Sequence, residues 1–318
     1  MKMTMTTCAA IVALIAPAFA AGDAWTTDYA AAKEKAAAAG KDLFLEFTGS
    51  DWCPPCQMLN REVFSKEEFT TGANEHFVLV KLDFPNDRSE QSDELQAQNK
   101  ELSERYSVQG FPTVLLCDAQ GRPYAATGYR PGGVENYLEH LEELRGRKAT
   151  RDSAFETAAA AEGVDKAKAL VEALDAMDLD DQAVQGFYGE VVEQIKASDP
   201  DDASGFARKA DVRARIAAFE EKIGELAQNG DFDSVLTEVD EVLKTEGLTP
   251  DQTQQITLTR ALVFAQQGKF DDAIKVVDDA LAISPQSEIA QHLDGFKDQL
   301  SAARDAAQAD DGASDEEP

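Results

Sequence analysis

The 318-residue chain (34.4 kDa) is 43% hydrophobic and 28% charged, a composition able to build two globular cores at ~150 residues per domain. Sixty acidic residues against 30 basic ones leave a net charge of −30, which excludes nucleic acid as a partner and disfavours anionic membrane surfaces. The acids are skewed: residues 21–148 carry a net −8 and residues 149–318 a net −23, a distribution that keeps the chain soluble and repels acidic partners.

The first residues read as a leader. Lys2 supplies a short basic region, Cys8 to Ala16 an apolar run, and Ala18-Phe19-Ala20 an A-x-A cleavage site. The run is too short to span a membrane, and Cys8 precedes it, which argues against a lipid anchor. Residues 1–20 are therefore expected to be a signal peptide cut after Ala20, with the mature protein periplasmic or secreted.

Residues 26–39 predict a helix ending at Gly40, and Asp42 to Thr48 a buried strand. The turn Gly49-Ser50-Asp51-Trp52 leads into Cys53-Pro54-Pro55-Cys56, and residues 55–64 continue with helical spacing. Phe77 to Phe84 predicts a second strand, residues 89–105 a polar helix, Thr113 to Cys117 a third strand, residues 118–121 a hairpin turn, and Pro123 to Thr127 a fourth strand. A helix over 131–145 closes this part, with Tyr137, Leu138, Leu141 and Leu144 on one face.

Helix then follows helix, over 152–161, 164–176, 181–197 and 204–228. Two segments repeat at an offset of 38 residues: Gly230-Asp231-Phe232 matches Gly268-Lys269-Phe270, and Val235, Val239 and Val242 match Ala273, Val277 and Ala280. The second copy, with Ala261, Gly268, Phe270, Ala273, Ala280 and Pro285, resembles a tetratricopeptide repeat. The last 14 residues hold six acids and no base, the composition of a disordered tail. The expected organisation is thus 1–20 signal peptide, 21–148 α/β domain, 149–304 helical-repeat domain and 305–318 acidic tail.

Once Cys8 is removed, Cys53, Cys56 and Cys117 remain. A single C-x-x-C in an exported protein reads as a redox site rather than a disulfide framework. Placed between a strand and a helix start, Cys53 would be the N-cap and Pro54 the first helical residue. The free N–H groups and dipole of the helix start stabilise a thiolate there. Cys53 is thus the nucleophile on a substrate disulfide, and Cys56, inside the first turn, resolves the mixed disulfide. With no histidine between the cysteines, only a moderate lowering of the Cys53 pKa is expected. Cys117, mid-strand, reads as a small buried hydrophobe.

Over residues 24–146 the chain resembles the thioredoxin superfamily. Trp52-Cys53-Pro54-Pro55-Cys56 is similar to its WCxxC site, Gly110-Phe111-Pro112-Thr113 to its cis-proline loop, Glu46 to its buried acid and Lys81 to the lysine beside that acid. The resemblance implies an α/β thioredoxin-like domain, a mixed central sheet flanked by helices, followed by the all-α helical-repeat domain. It also implies a protein disulfide oxidoreductase that needs no cofactor, with Trp52, Phe111 and Pro112 contacting substrate and Glu46 acting as general base toward Cys56. For Glu46 the other reading is a plain ion pair with Lys81; for Trp52 and Phe111 it is packing. The phrase Phe47-Thr48-Gly49-Ser50-Asp51-Trp52 resembles a subgroup of exported bacterial members that lack the family's extra N-terminal strand.

His76, His140 and His292 stand in no metal-ligand spacing, and the repeat accounts for Asn229, Asp231 and Asp233 better than a calcium loop does. Three functions compete. The first reduces or isomerises protein disulfides, drawing on a membrane electron donor, with the helical repeats binding a protein partner. The second is a client-binding chaperone of the co-chaperedoxin type with secondary redox activity. The third uses the repeats to oligomerise.

Overall fold

The computed structural model describes residues 24–287 and 289–314; the expected leader lies outside the described residues. The chain divides into two compact units, one ending at Pro200 and the other beginning at Asp201.

The first unit is built on a five-stranded sheet in the order β1-β3-β2-β4-β5. Its strands are β1 (Trp25–Thr26), β2 (Asp42–Thr48), β3 (Phe77–Asp83), β4 (Thr113–Cys117) and β5 (Pro123–Thr127). β1 and β2 run parallel to β3, while β4 is antiparallel to β2 and β5 antiparallel to β4. β2 is central and buried at all seven positions, which is why it reads as a continuous apolar run.

The helix α1 (Tyr29–Ala39) starts where the Asp28 carboxylate accepts the N–H of Ala31 at 2.9 Å, and it ends at Gly40, whose φ of 64° suits only glycine well. α2 (Pro54–Leu59) runs into a π-helical turn over Asn60–Phe64, then α3 (Glu67–His76) follows; α4 (Asp93–Arg105) joins β3 to β4. One face of the sheet packs Leu43, Leu45, Phe47, Val80 and Cys117 against Tyr29, Ala32 and Ala36 of α1 and Leu102 of α4. On the other face Phe44 meets Phe64, Phe69 and Phe77 at 5.5–6.0 Å.

Several expectations are corrected. A short N-terminal strand is present: Trp25 and Thr26 pair with Leu79 and Val80, because the Trp25 ring docks on Phe44 and Phe64 at 5.7 and 5.5 Å. The first helix consequently starts at Tyr29. The α3 helix was not expected at all. Helices expected at 131–145 and 152–161 are one, α5 (Gly133–Ala159), since Arg145, Arg147 and Lys148 favour helix and Gly146 costs only ~1 kcal/mol.

The sequence boundary at 148/149 falls inside α5. α6 (Gly163–Met177) and α7 (Asp181–Ser198) belong to the first unit. The reason lies in Arg151 of α5, which is 2% exposed. Its guanidinium meets Asp118 at 3.3 Å, donates to the Tyr188 hydroxyl of α7 at 2.9 Å and pairs with Asp152. The Tyr188 hydroxyl donates onward to the Pro123 carbonyl at 2.7 Å. A buried guanidinium requires such partners, so α5 and α7 are tied to the β4–β5 hairpin, and Phe187 stacks on Tyr106 at 4.8 Å.

The second unit contains α8 (Phe206–Gln228), α9 (Phe232–Val242), α10 (Pro250–Gln266), α11 (Phe270–Ile283) and α12 (Ala290–Ser314). The sequence repeat has a geometric counterpart. Gly230 and Gly268 both have φ 72°. The Asp231 N–H returns to the Leu226 carbonyl at 3.0 Å, and the Lys269 N–H to the Phe264 carbonyl at 2.9 Å. The following helices bury Val235, Val239 and Val242 in one case and Ala273, Val277 and Ala280 in the other. Residues 305–314 of the expected tail continue α12, as their alanine content favours; residues 315–318 lie outside the described residues.

Candidate active site

The strand β2 delivers the chain to the site. After Thr48 the turn Gly49–Trp52 closes with the Cys53 N–H on the Gly49 carbonyl at 2.9 Å. Cys53 is the N-cap of α2 in extended conformation, and its sulfur accepts the Cys56 N–H at 3.3 Å. Pro54 occupies the first helical position, where its missing N–H removes no bond. Cys53 and Cys56 form a disulfide with Cα atoms 5.3 Å apart. They are 3% and 1% exposed, so both are buried beneath the rim of the site.

The loop before β4 forms that rim. The Phe111–Pro112 peptide is cis, and the Phe111 carbonyl oxygen lies 3.6 Å from Cys53 Sγ. Trp52 is 44% exposed and meets the Phe111 ring edge-on at 5.7 Å. Its indole Nε1 donates to the Phe84 carbonyl at 2.7 Å. Trp52, Phe111, Pro112 and the cysteines are thus brought together.

Glu46 is buried on β2, directly opposite Lys81 in the parallel register with β3. Burial pushes its carboxyl up to about 7; Lys81 and a hydrogen bond with Thr48 oppose that shift, and Asp83 adds to it. Both readings of Glu46 therefore have a physical basis: the lysine is its neighbour, and its proton affinity sits near neutrality. Cys117 is fully buried on the opposite face, and desolvation raises its thiol pKa well above the ordinary value. Among the described residues no group of three or more His, Cys, Asp or Glu side chains is placed to hold a metal ion.

Three residues here escaped sequence reasoning. A Cβ on Gly49 would stand 2.5 Å from the Trp52 ring, so glycine is what lets the indole lie down. Asp51 accepts the N–H groups of Asn86 and Asp87 at 2.9 and 3.1 Å. Phe84 receives the indole bond and packs on Phe111 at 5.2 Å. Asp51 and Phe84 are 33 residues apart, and no local signal joins them.

A thioredoxin-like domain model matches residues 29–143. The chain is 36% identical over 125 residues to a disulfide bond reductase, DsbH, of Chlamydia pneumoniae, covering 39% of this chain and 74% of that protein. It is 30% identical over 112 residues to the thioredoxin-related protein DsbJ of the same organism, covering 35% of this chain and 31% of that one. A solved structure titled DsbH oxidoreductase is 35% identical, covers 38% of this chain and 82% of its own, and superposes with a TM-score of 0.36. The residues matched by the domain model contain the bonded C-x-x-C pair, and the chain belongs to the thioredoxin-like family as one of its thiol–disulfide oxidoreductases.

Proposed function

We propose that the protein reduces disulfide bonds in polypeptides outside the cytoplasm, with isomerisation as the same chemistry stopped at the mixed disulfide. The observation that carries this is the Cys53–Cys56 pair at the start of α2, with the Phe111 carbonyl 3.6 Å from Cys53 Sγ. Reduction is favoured over oxidation by the motif, which lacks a histidine between its cysteines, and by the relative named as a disulfide bond reductase.

In the dithiol form Cys53 attacks as thiolate. A Cys53–substrate disulfide forms, and the substrate's own S–S bond breaks with one thiolate leaving. Glu46 accepts the proton of Cys56, directly or through water, and Lys81 faces the carboxylate that results. The Cys56 thiolate then attacks Cys53 Sγ, closing the disulfide seen here and releasing the second substrate thiol. Two electrons and two protons pass to the substrate, and a dithiol donor at the membrane must restore the enzyme. Trp52, Phe111 and Pro112 hold the substrate segment.

Export is supported by the leader pattern at 1–20. Among the described residues no helix is long and apolar enough to cross a membrane. The unit from Asp201 is assigned to binding a protein partner, a reading supported by the recurring hairpin at Gly230 and Gly268. Its assignment as tetratricopeptide repeats rests on the sequence pattern.

The test is the reduction potential of the pair against glutathione. A value near about −270 mV supports a reductase, and one between about −180 and −120 mV replaces it with an isomerase or oxidase.

A further inference from the structure

The loop from β3 to α4, residues 84–92, is bound to the redox motif at its base and along its first turn. At the base, the Ser50 N–H donates to the Asp83 carboxylate at 3.0 Å. Next, Trp52 Nε1 donates to the Phe84 carbonyl at 2.7 Å. Finally, the two Asp51 oxygens take one N–H each, from Asn86 at 2.9 Å and Asp87 at 3.1 Å. These bonds link the residue just before Trp52 to a segment 35 positions away. They fix one loop against another rather than cap a local turn. The same two N–H donors hold the Asp51 carboxyl below the usual carboxylate range, so the latch stays ionised through neutral pH.

The latched segment begins at Phe84, whose own N–H is held by the Thr48 carbonyl at 2.8 Å. Its ring lies 5.2 Å from Phe111, and Phe111 stands edge-on to Trp52 at 5.7 Å. Three rings thus form a partly exposed apolar shelf. One end of it, the Phe111 carbonyl, is 3.6 Å from Cys53 Sγ. Trp52 at 44% exposure is one of the large hydrophobic side chains most exposed to solvent among the described residues. Aromatic surface left open beside a reactive sulfur is suited to covering by an apolar side chain of the substrate.

We infer that the β3–α4 loop is a specificity element. Asp51 latches it so that Phe84 completes a shelf for an apolar side chain adjoining the half-cystine of a polypeptide substrate. Phe84 touches that side chain; Asp51 acts through Phe84 and is a positioning residue. The inference rests on the reductase reading and adds which polypeptide disulfides are preferred.

The test uses the full chain and two peptides with an intramolecular disulfide, identical except for Phe or Gly beside the attacked half-cystine. The wild type is expected to show a kcat/KM about tenfold higher for the Phe peptide, with the difference in KM, as for binding made equally in ground and transition states. Phe84→Ala and Asp51→Ala reduce that ratio to about twofold, and Asp51→Asn, which keeps one acceptor oxygen, retains an intermediate ratio. The ratio is taken within each variant, so partial loss of folded protein cancels. Equal kcat/KM on the two peptides in the wild type overturns the inference, as does an undiminished ratio in Phe84→Ala and Asp51→Ala. A wild type that reduces neither peptide brings down the reductase reading, and the specificity element with it.

Discussion

On one face of the central sheet, Leu43, Leu45 and Phe47 of β2 pack with Cys117 beneath α1 and α4. On the other, Phe44 joins an aromatic cluster with Phe64, Phe69 and Phe77, and Glu46 lies in the same alternation. The two faces bury polar chemistry about equally deeply: Cys117 is 0% exposed, Glu46 2% and Cys56 1%. Burial alone raises the pKa of thiol and carboxyl alike. For Cys117 nothing in its surroundings overcomes it, and the thiol is held in its neutral form. Cys53 sits at a helix start, where its sulfur accepts the Cys56 N–H, so the environment stabilises charge on sulfur. The contrast teaches that two sulfurs at nearly equal depth can meet opposite surroundings: a helix-terminal N–H points at Cys53, while burial opposes charge on Cys117.

The largest expected effect tests that contrast directly. Cys53→Ser should bring disulfide reduction down to background, a loss of roughly 10³-fold or more given that the step needs the thiolate. Cys117→Ala should keep full turnover while costing about 1 kcal/mol of stability for the lost buried atom. In the native protein Cys117 should react with a thiol reagent only after denaturation. Rapid native labelling of Cys117 would erase the distinction between the faces.

Next comes Glu46. As the base toward Cys56 it must be ionised, so turnover should rise with pH through about 7. Glu46→Gln should lower the resolving rate roughly 10²-fold and remove that limb. An unchanged pH profile leaves only the ion pair with Lys81. The same carboxyl governs stability. Its pKa in the folded protein is above the ordinary 4.5. The contribution is therefore complete below about 4.5 and is lost as pH rises through about 7. That interval corresponds to about 3 kcal/mol. Urea unfolding of the oxidised protein should show the wild type weakening between pH 5 and 8, and Glu46→Gln holding steady.

A smaller effect is expected at Gly49. Gly49→Ala drives a methyl into the Trp52 ring and should release the indole from the Phe84 carbonyl. The cost is about 1–3 kcal/mol of overpacking and hydrogen bonding, with a shift in tryptophan emission. Emission and stability both unchanged would show that Trp52 is not held by this contact.

How much of this was legible in the sequence follows from the range of each interaction. β2, β4 and β5 were read to the residue because each is a short apolar run bounded by turn chemistry, and the Cys53 cap and Pro54 because capping is local. β1 was missed because two residues carry no period; only the Trp25 ring, docking on Phe44 and Phe64, makes them a strand. The boundary at 148/149 failed because the Arg151–Asp118–Tyr188 network spans 70 positions, and a lone charged residue in a helix gives no sign that it is buried. Glu46 and Lys81 could be named by resemblance, yet the bonds from Asn86 and Asp87 to Asp51 and from the Trp52 indole to Phe84 form only in the tertiary structure.

The second unit offers the gentlest test, and it concerns whether its two hairpins are one device used twice. Gly230 and Gly268 share φ 72°, with nothing within 4 Å of a Cβ built at either. An added methyl therefore meets no neighbour, and the whole cost is the left-handed backbone, about 1 kcal/mol for a residue with a side chain. Gly230→Ala and Gly268→Ala should each lower stability by that amount and by the same amount. Disulfide reduction should be untouched, since both residues belong to the second unit and the cysteine pair to the first. Unequal losses would mean that the hairpins differ in what their neighbouring helices demand, and the 38-residue correspondence would then describe backbone shape without shared energetics.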